Sequence, residues 1–298
     1  MHWRVGWPRR QSRLLLALVL VAFMAGCAGG PSISTVIPSD DSAPTASPER
    51  PHGRPGPDNT GVPDGVELEP SDGLRIVEDG TVVDGLDVDG CVVVAADDVV
   101  IKNSRIRCAE PESEPAVRVM PGHRNLLVQD TEIDGLGEAT MGVGYSGYHL
   151  LRVDVHGVND GARLASNTVV EASWIHDLVR KGELHPDALQ STSGVNVLVR
   201  GNTLDAASDD DLGNAAIMLG TETGDQLLSN AVFEDNYLNG GNYTVNIRSD
   251  ANLEGVVFRG NVYGPDHRYG PVRSPDTVRF DSDTWDDSGE AVEVDESR

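Results

Sequence analysis

The sequence predicts an all-β fold, a single-stranded right-handed parallel β-helix (solenoid) of about eight rungs. Three observations carry this. A seven-residue pattern returns six times, its side chains sort by parity into fixed columns, and each copy is followed after a loop by a second short apolar stretch. The copies are Val100–Ile106, Leu127–Ile133, Val169–Ile175, Leu198–Leu204, Val232–Leu238 and Val257–Tyr263. Their spacing of about 20 to 35 residues varies, as it does where loops of unequal length leave one repeating scaffold.

Within each copy the alternation is that of a strand. Ile101, Val128, Val170, Val199, Phe233 and Phe258 form one column and must point inward. Lys102, Gln129, Glu171, Arg200, Glu234 and Arg259 alternate with them and must point outward. Stacked strands would hold these heads about 4.8 Å apart, so Glu171 would face Arg200 in a solvated charge ladder. Ser104, Thr131, Ser173, Asn202, Asn236 and Asn261 form the next inward column, suited to a corner where the bending backbone needs hydrogen-bond partners. Ile106, Ile133, Ile175, Leu204, Leu238 and Tyr263 close the apolar filling. Leu150–Val155 reads as a seventh copy, one residue shorter. The second strands are Ala116–Val119, Gly142–Tyr145, Ala162–Leu164, Ala188–Ser191, Ala216–Leu219 and Val245–Ile247. No helical period intervenes, which argues against a βαβ arrangement.

From Leu74 to Phe280 the chain resembles the right-handed β-helix superfamily that includes pectate lyase-like proteins. The resemblance implies a fold. Its members include lyases, hydrolases, epimerases and binding proteins, so it implies no single activity.

The ends read differently. Arg9, Arg10 and Arg13 precede the apolar run Leu14–Phe23, a secretory signal over residues 1–26. Met24-Ala25-Gly26-Cys27 resembles a bacterial lipobox, which implies lipidation at Cys27 and an exported, outward-facing protein anchored to the bacterial cell membrane. Residues 27–69, rich in Pro, Ser and Gly, read as a disordered tether, residues 70–282 as the β-helix domain, and residues 283–298 as an acidic disordered tail. The remaining cysteines, Cys91 and Cys108, lie near the first rungs in a chain bound for an oxidising compartment. A disulfide between them would add about 3 kcal/mol, and two buried thiols are the alternative.

The net charge of −25 makes nucleic acid and anionic lipid headgroups poor partners. An acidic polysaccharide would be repelled too, unless a basic patch or a divalent cation intervenes. A monomer is expected, held to the membrane by its N-terminal lipid.

Chemistry is expected on the loops, which emerge along one edge: Asp134–Met141, Gly157–Asp160, Asp177–Pro186, Asp205–Asn214 and Asn239–Asn242. The densest run is Arg180 to Gln190, and its His185-x-Asp187-x-x-Gln190 resembles a segment of some secreted bacterial β-helix proteins. Aligning Asp160-Gly161-Ala162-Arg163 with Asp187-Ala188-Leu189-Gln190 stacks Asp160 next to Asp187 and Arg163 next to Gln190, each pair about 5 Å apart. Met218 and Asn246 continue the Arg163 column, with Arg248 two residues beyond.

Two adjacent carboxylates have three uses. They serve as acid and as nucleophile or base in glycoside hydrolysis. They bind Ca2+, with Asp187 joined by Asp209, Asp210 or Asp211. Or they accept backbone N–H bonds at a tight loop. A lyase would need a base, for which Lys181 or His185 are candidates, and a neutraliser of the uronate carboxylate, for which Arg163 or calcium would serve. Asp160, Lys181, His185 and Asp187 are thus the catalytic candidates, and Arg163, Gln190, Asn246, Arg248 and Trp174 the substrate-binding ones. Trp174 is outward on its strand and serves either as a sugar platform or as packing. His156 and His176 end two strands just before the loops. The composite reading is a cell-surface carbohydrate-active protein acting on an acidic polysaccharide as a lyase or glycosidase. The alternative is a non-catalytic β-helix lipoprotein that binds glycan or a surface partner.

Overall fold

The computed structural model describes residues 53–109, 115–220 and 226–296. Among these there is no helix, and the strands form two sheets, one of sixteen strands and one of nine. Strand pairing within both sheets is parallel, and the chain alternates between them, each pass lying on the previous one. The arrangement is compatible with a β-helix or solenoid.

The inward columns stand as the sequence places them. In the nine-stranded sheet Ile101 pairs with Val128, Val128 with Leu150, Leu150 with Val170, Val170 with Val199, Val199 with Phe233 and Phe233 with Phe258. All are fully buried, and each removes enough apolar surface from water to contribute about 1.5–3 kcal/mol. Phe233 and Phe258 stack with ring centroids 4.5 Å apart, and Phe280 adds a third ring at 4.8 Å. In the larger sheet Ile106, Ile133, Val155, Ile175, Leu204, Leu238 and Tyr263 follow one another in register.

The corner between the two columns has a repeating backbone solution. Asn103, Asp130, Arg152, Ala172, Asp235 and Ser282 all hold left-handed φ values, between 48° and 60°. Gly201 and Gly260 take the same position without a Cβ to strain. The next residue is the polar column, and from Asn202 onward it forms a ladder. Asn236 Oδ1 accepts from the Asn202 backbone N at 3.0 Å and from its Nδ2 at 2.9 Å, and Asn261 Oδ1 does the same for Asn236 at 3.1 and 2.9 Å. Each Nδ2 also donates to a carbonyl of the previous pass: Asn202 to Val170 and Asn236 to Val199.

The seventh copy is of full length. Its first position is His149, which pairs with Val169, and Val153 stands at the ladder position. A histidine in an aliphatic slot hides this from the sequence pattern.

Other expectations need correction. Gln129 keeps its outward register, paired with Lys102 and Leu151, yet is not solvated: it is 3% exposed, and its amide donates to Asp130, which Arg152 holds in a buried bidentate pair at 2.8 and 2.9 Å. Asp134–Met141 and Gly157–Asp160 are not loops but parts of the strands Glu132–Gly144 and Asp154–Arg163, with an irregularity absorbed between His156 and Val158. The tether does not extend to residue 69. Thr60 and Gly61 are buried, Gly61 N donates to Arg152 O at 3.0 Å, and Glu69 opens the first strand. Nor is the described part of this end, residues 283–296, a frayed tail. Thr284–Trp285 and Val294–Asp295 pair with the preceding strands, and Asp283, 4% exposed, accepts from Asn261. Trp285 and Val294 provide the apolar contacts that the acidic composition masks.

The outward ladder is otherwise paired: Lys102 with Asp84 at 3.1 Å, Arg200 with Glu171 at 2.5 Å and Arg259 with Glu234 at 2.6 Å. Cys91 and Cys108 are joined by a disulfide. The signal segment and Cys27 lie outside the described residues.

Candidate functional site

The strand Asp154–Arg163 pairs with Asp187–Ser191 so that Ala162 meets Leu189 and Arg163 meets Gln190, which brings Asp160 beside Asp187. The approach is close. A Cβ at Gly161 would stand 2.4 Å from both Ala188 O and Ile175 Cγ2, so only glycine fits between Asp160 and Ala162. The Asp187 backbone N donates to Asp160 Oδ1 at 3.3 Å, so one aspartate caps the other's strand.

Two asparagines complete the arrangement. Asn159 Nδ2 donates to Asp160 Oδ1 at 2.8 Å and to His185 O at 3.3 Å, while its Oδ1 accepts from Lys181 N at 3.0 Å. Asn214 Nδ2 donates to Asp187 Oδ1 at 2.7 Å. Neither asparagine stood out in the sequence, although each lies within a stretch delimited there as a loop.

Burial dominates the electrostatics. Asp160 is 8% exposed and Asp187 1%. Loss of water pushes the Asp160 carboxyl up to about 6, against the opposing pull of the Asp187 N–H, Arg163 and Asn159. Burial and the neighbouring Asp160 push Asp187 well above the usual carboxylate range. Two acceptor-only groups this close cannot both ionise cheaply, so the pair retains a proton into the neutral range.

The column beside them runs Arg163, Gln190, Met218, Asn246 and Arg273. Arg163 Nη2 donates to Gln190 Oε1, while Arg163 Nε and Asn246 Oδ1 are buried with no hydrogen-bond partner. Unpartnered buried polar atoms are uncommon, and here two of them flank one short column.

The remaining candidates are dispersed. Lys181 Nζ is engaged by Glu138 Oε2 at 2.6 Å and Gly137 O at 2.9 Å. His185 is exposed and contributes its carbonyl to Asn159. Arg248 is held by Asp250 at 3.0 and 2.8 Å. Asp211 is taken by Arg180 at 2.6 Å, and Asp209 and Asp210 are on the surface. Among the described residues no group of three or more His, Cys, Asp or Glu side chains could hold a metal ion.

Trp174 faces outward, as its parity requires, but His176 stacks on it at 3.4 Å and covers one face. His176 in turn lies between Asp154 at 2.9 Å and Asp177 at 2.7 Å. His156 reaches Glu132 at 3.3 Å, which pulls the imidazole pKa up and the Glu132 carboxyl down. This histidine–carboxylate cluster was not foreseen, because its members come from different passes and no local motif joins them. Comparison of the chain with family models, with curated proteins and with solved structures finds no match.

Proposed function

We propose that the chain is an exported right-handed parallel β-helix protein, tethered at the cell surface, that acts on an acidic polysaccharide with Asp160 as its proton donor. The observation that carries this reading is the stacked Asp160–Asp187 pair with raised pKa values, next to Arg163 and Gln190. A carboxyl that keeps its proton near neutrality has the property a general acid needs. Asp187, deeper in the fold, acts as a positioning residue that tunes Asp160. Arg163, tied to Gln190, supplies positive charge where a sugar carboxylate would lie.

A panel of acidic polysaccharides tests this, with unsaturated uronate absorbance reporting elimination and new reducing ends reporting hydrolysis. Wild type should cleave at least one member, and Asp160→Asn should lose about a hundredfold or more of that rate. Equal activity in both proteins removes Asp160 from the role.

A second reading, a non-catalytic glycan-binding surface protein, has its own support. Asp187 is closed off and Lys181 is occupied by Glu138. It predicts retention of a polysaccharide on the immobilised protein with no cleavage by either readout.

A further inference from the structure

Residues 54–61 lie on the outward face of the larger sheet. Gly61 lies against Asp154, where an added Cβ would sit 3.1 Å from the Asp154 Cβ. Asp154, Trp174, Thr203 and Tyr237 follow one another in one outward column, one per pass. Arg54 reaches the far end of that column: its guanidinium carbon lies 3.6 Å over the Tyr237 ring, and Nη2 meets Asp286 Oδ1 at 2.7 Å. The segment from Gly61 to Arg54 therefore spans the levels of Trp174 and Thr203.

Beneath it, the surface is built for a flat cation. Asn239 Nδ2 bridges Asp205 Oδ1 at 3.1 Å and Asp266 Oδ2 at 3.0 Å, fixing two carboxylates near the ring. Burial first, then the charges of Asp205, Asp286 and Asp266, push the Tyr237 phenol up, and Arg54 works against them. Thr203 is 7% exposed, and its Oγ1 is buried with no hydrogen-bond partner, in register with Tyr237. A buried hydroxyl left without a partner is uncommon, and this one lies in the covered column.

The covering segment forms a turn of its own. Asn59 N and Thr60 N donate to Gly56 O, and Asn59 Nδ2 donates to Arg54 O. Its grip on the sheet includes Gly61 N on Arg152 O and the Arg54 contacts, and the Arg54–Asp286 pair is half exposed and therefore screened by salt.

We propose that Tyr237, Thr203, Asp205, Asp266 and Asp286 form a receptor for a guanidinium group, occupied in cis by Arg54, and that an arginine-bearing peptide binds there when residues 53–61 are displaced. A guanidinium stacks on an aromatic face while presenting its N–H edge to carboxylates, and an ammonium lacks that planar edge. The site is independent of the catalytic reading, since it shares no residue with it.

The test uses fluorescein-labelled tetra-arginine, with labelled tetra-lysine as the charge-matched control, titrated by anisotropy into the mature protein at about 20 mM salt. Arg54→Gln should bind tetra-arginine about tenfold more tightly than wild type, because the internal competitor is gone. Adding Tyr237→Leu should cancel the gain, and Asp286→Asn, which leaves the ring in place, should reduce it several-fold. Tetra-lysine should bind Arg54→Gln more weakly than tetra-arginine. Equal affinity of wild type and Arg54→Gln for tetra-arginine overturns the proposal. So does equal binding of the two peptides by Arg54→Gln, which would reduce the site to charge attraction. If Tyr237→Leu fails to fold, unchanged binding in the Arg54→Gln, Asp286→Asn protein overturns it on its own.

Discussion

The asparagine ladder and the Asp160–Asp187 pair are both stacks of like residues buried on adjacent passes, yet they have opposite electrostatic outcomes. An amide is donor and acceptor at once, so Asn202, Asn236 and Asn261 satisfy one another and the backbone around them. An ionised carboxylate only accepts. Burial raises both pKa values, the charge of Asp160 pushes Asp187 further, and the local asparagines and backbone N–H groups offset only part of the cost. A third arrangement lies between them, the Arg152–Asp130 pair, where opposite charges are buried together. Stacking by itself is neutral: the donor and acceptor inventory of the repeated residue decides whether a column stabilises the fold or stores chemistry.

The largest expected effect comes from breaking the opposite-charge pair. Arg152→Leu leaves Asp130 buried without its bidentate partner and should cost about 3–5 kcal/mol in urea unfolding. Interrupting the ladder is next. Asn236→Ala strands the Asn202 N–H and the Val199 carbonyl, and should cost roughly 2–4 kcal/mol by the same measurement. Both values should exceed that of any single surface pair such as Arg259–Glu234, or the ranking of corner over surface fails.

For the like-charge pair the sign reverses and depends on pH. The folded pKa of Asp160, about 6, lies above its ordinary value of 3.8, so the folded state binds more protons between those values. Stability is therefore full below about 4 and falls as pH rises through about 6. Asp187→Asn keeps the acceptor for Asn214 and removes the repulsion. It should raise stability by about 1–2 kcal/mol at pH 8 and leave it nearly unchanged at pH 4. Melting curves that move in parallel at both pH values would mean that the pair is not coupled. The smallest effect tests whether the hydroxyl column tolerates extension: Val153→Thr should shift stability by less than about 1 kcal/mol, since the Thr hydroxyl can donate to the carbonyl two residues back, as Ser173 does to Glu171 O at 2.9 Å.

What the sequence disclosed is what repeats. Ile101 through Phe258, Ser104 through Asn261 and the adjacency of Asp160 and Asp187 follow from a period of two and a motif that realigns on every pass. The non-repeating contacts were not legible. Nothing periodic announces that Gly61 lies on Asp154, that Arg54 stacks on Tyr237 or that Gln129 is covered and bonded to Asp130. The acid-rich end looked unable to order, because charge outweighs Trp285 and Val294 in any compositional window, although one more pass offers both a place. The disulfide was legible because compartment and proximity in sequence both pointed to it. Lys181 looked catalytic only because Glu138, its partner, lies 43 residues away in the chain.

Asp283 gives the stack a direction. Every Asn in the ladder lends its oxygen to the pass before it, and the last lender is Asp283, whose side chain accepts from Asn261 but carries no N–H to offer onward. Residues 285–292 then fold back, with Trp285 N bonded to Glu290 O and an antiparallel bridge from Thr284 to Ala291, which covers the free side of the Thr284–Trp285 strand. The opposite edge keeps Val77 and Val82 exposed, 62% and 57%, on the first turn. A further pass stacked on Thr284–Trp285 would therefore first have to displace that fold-back.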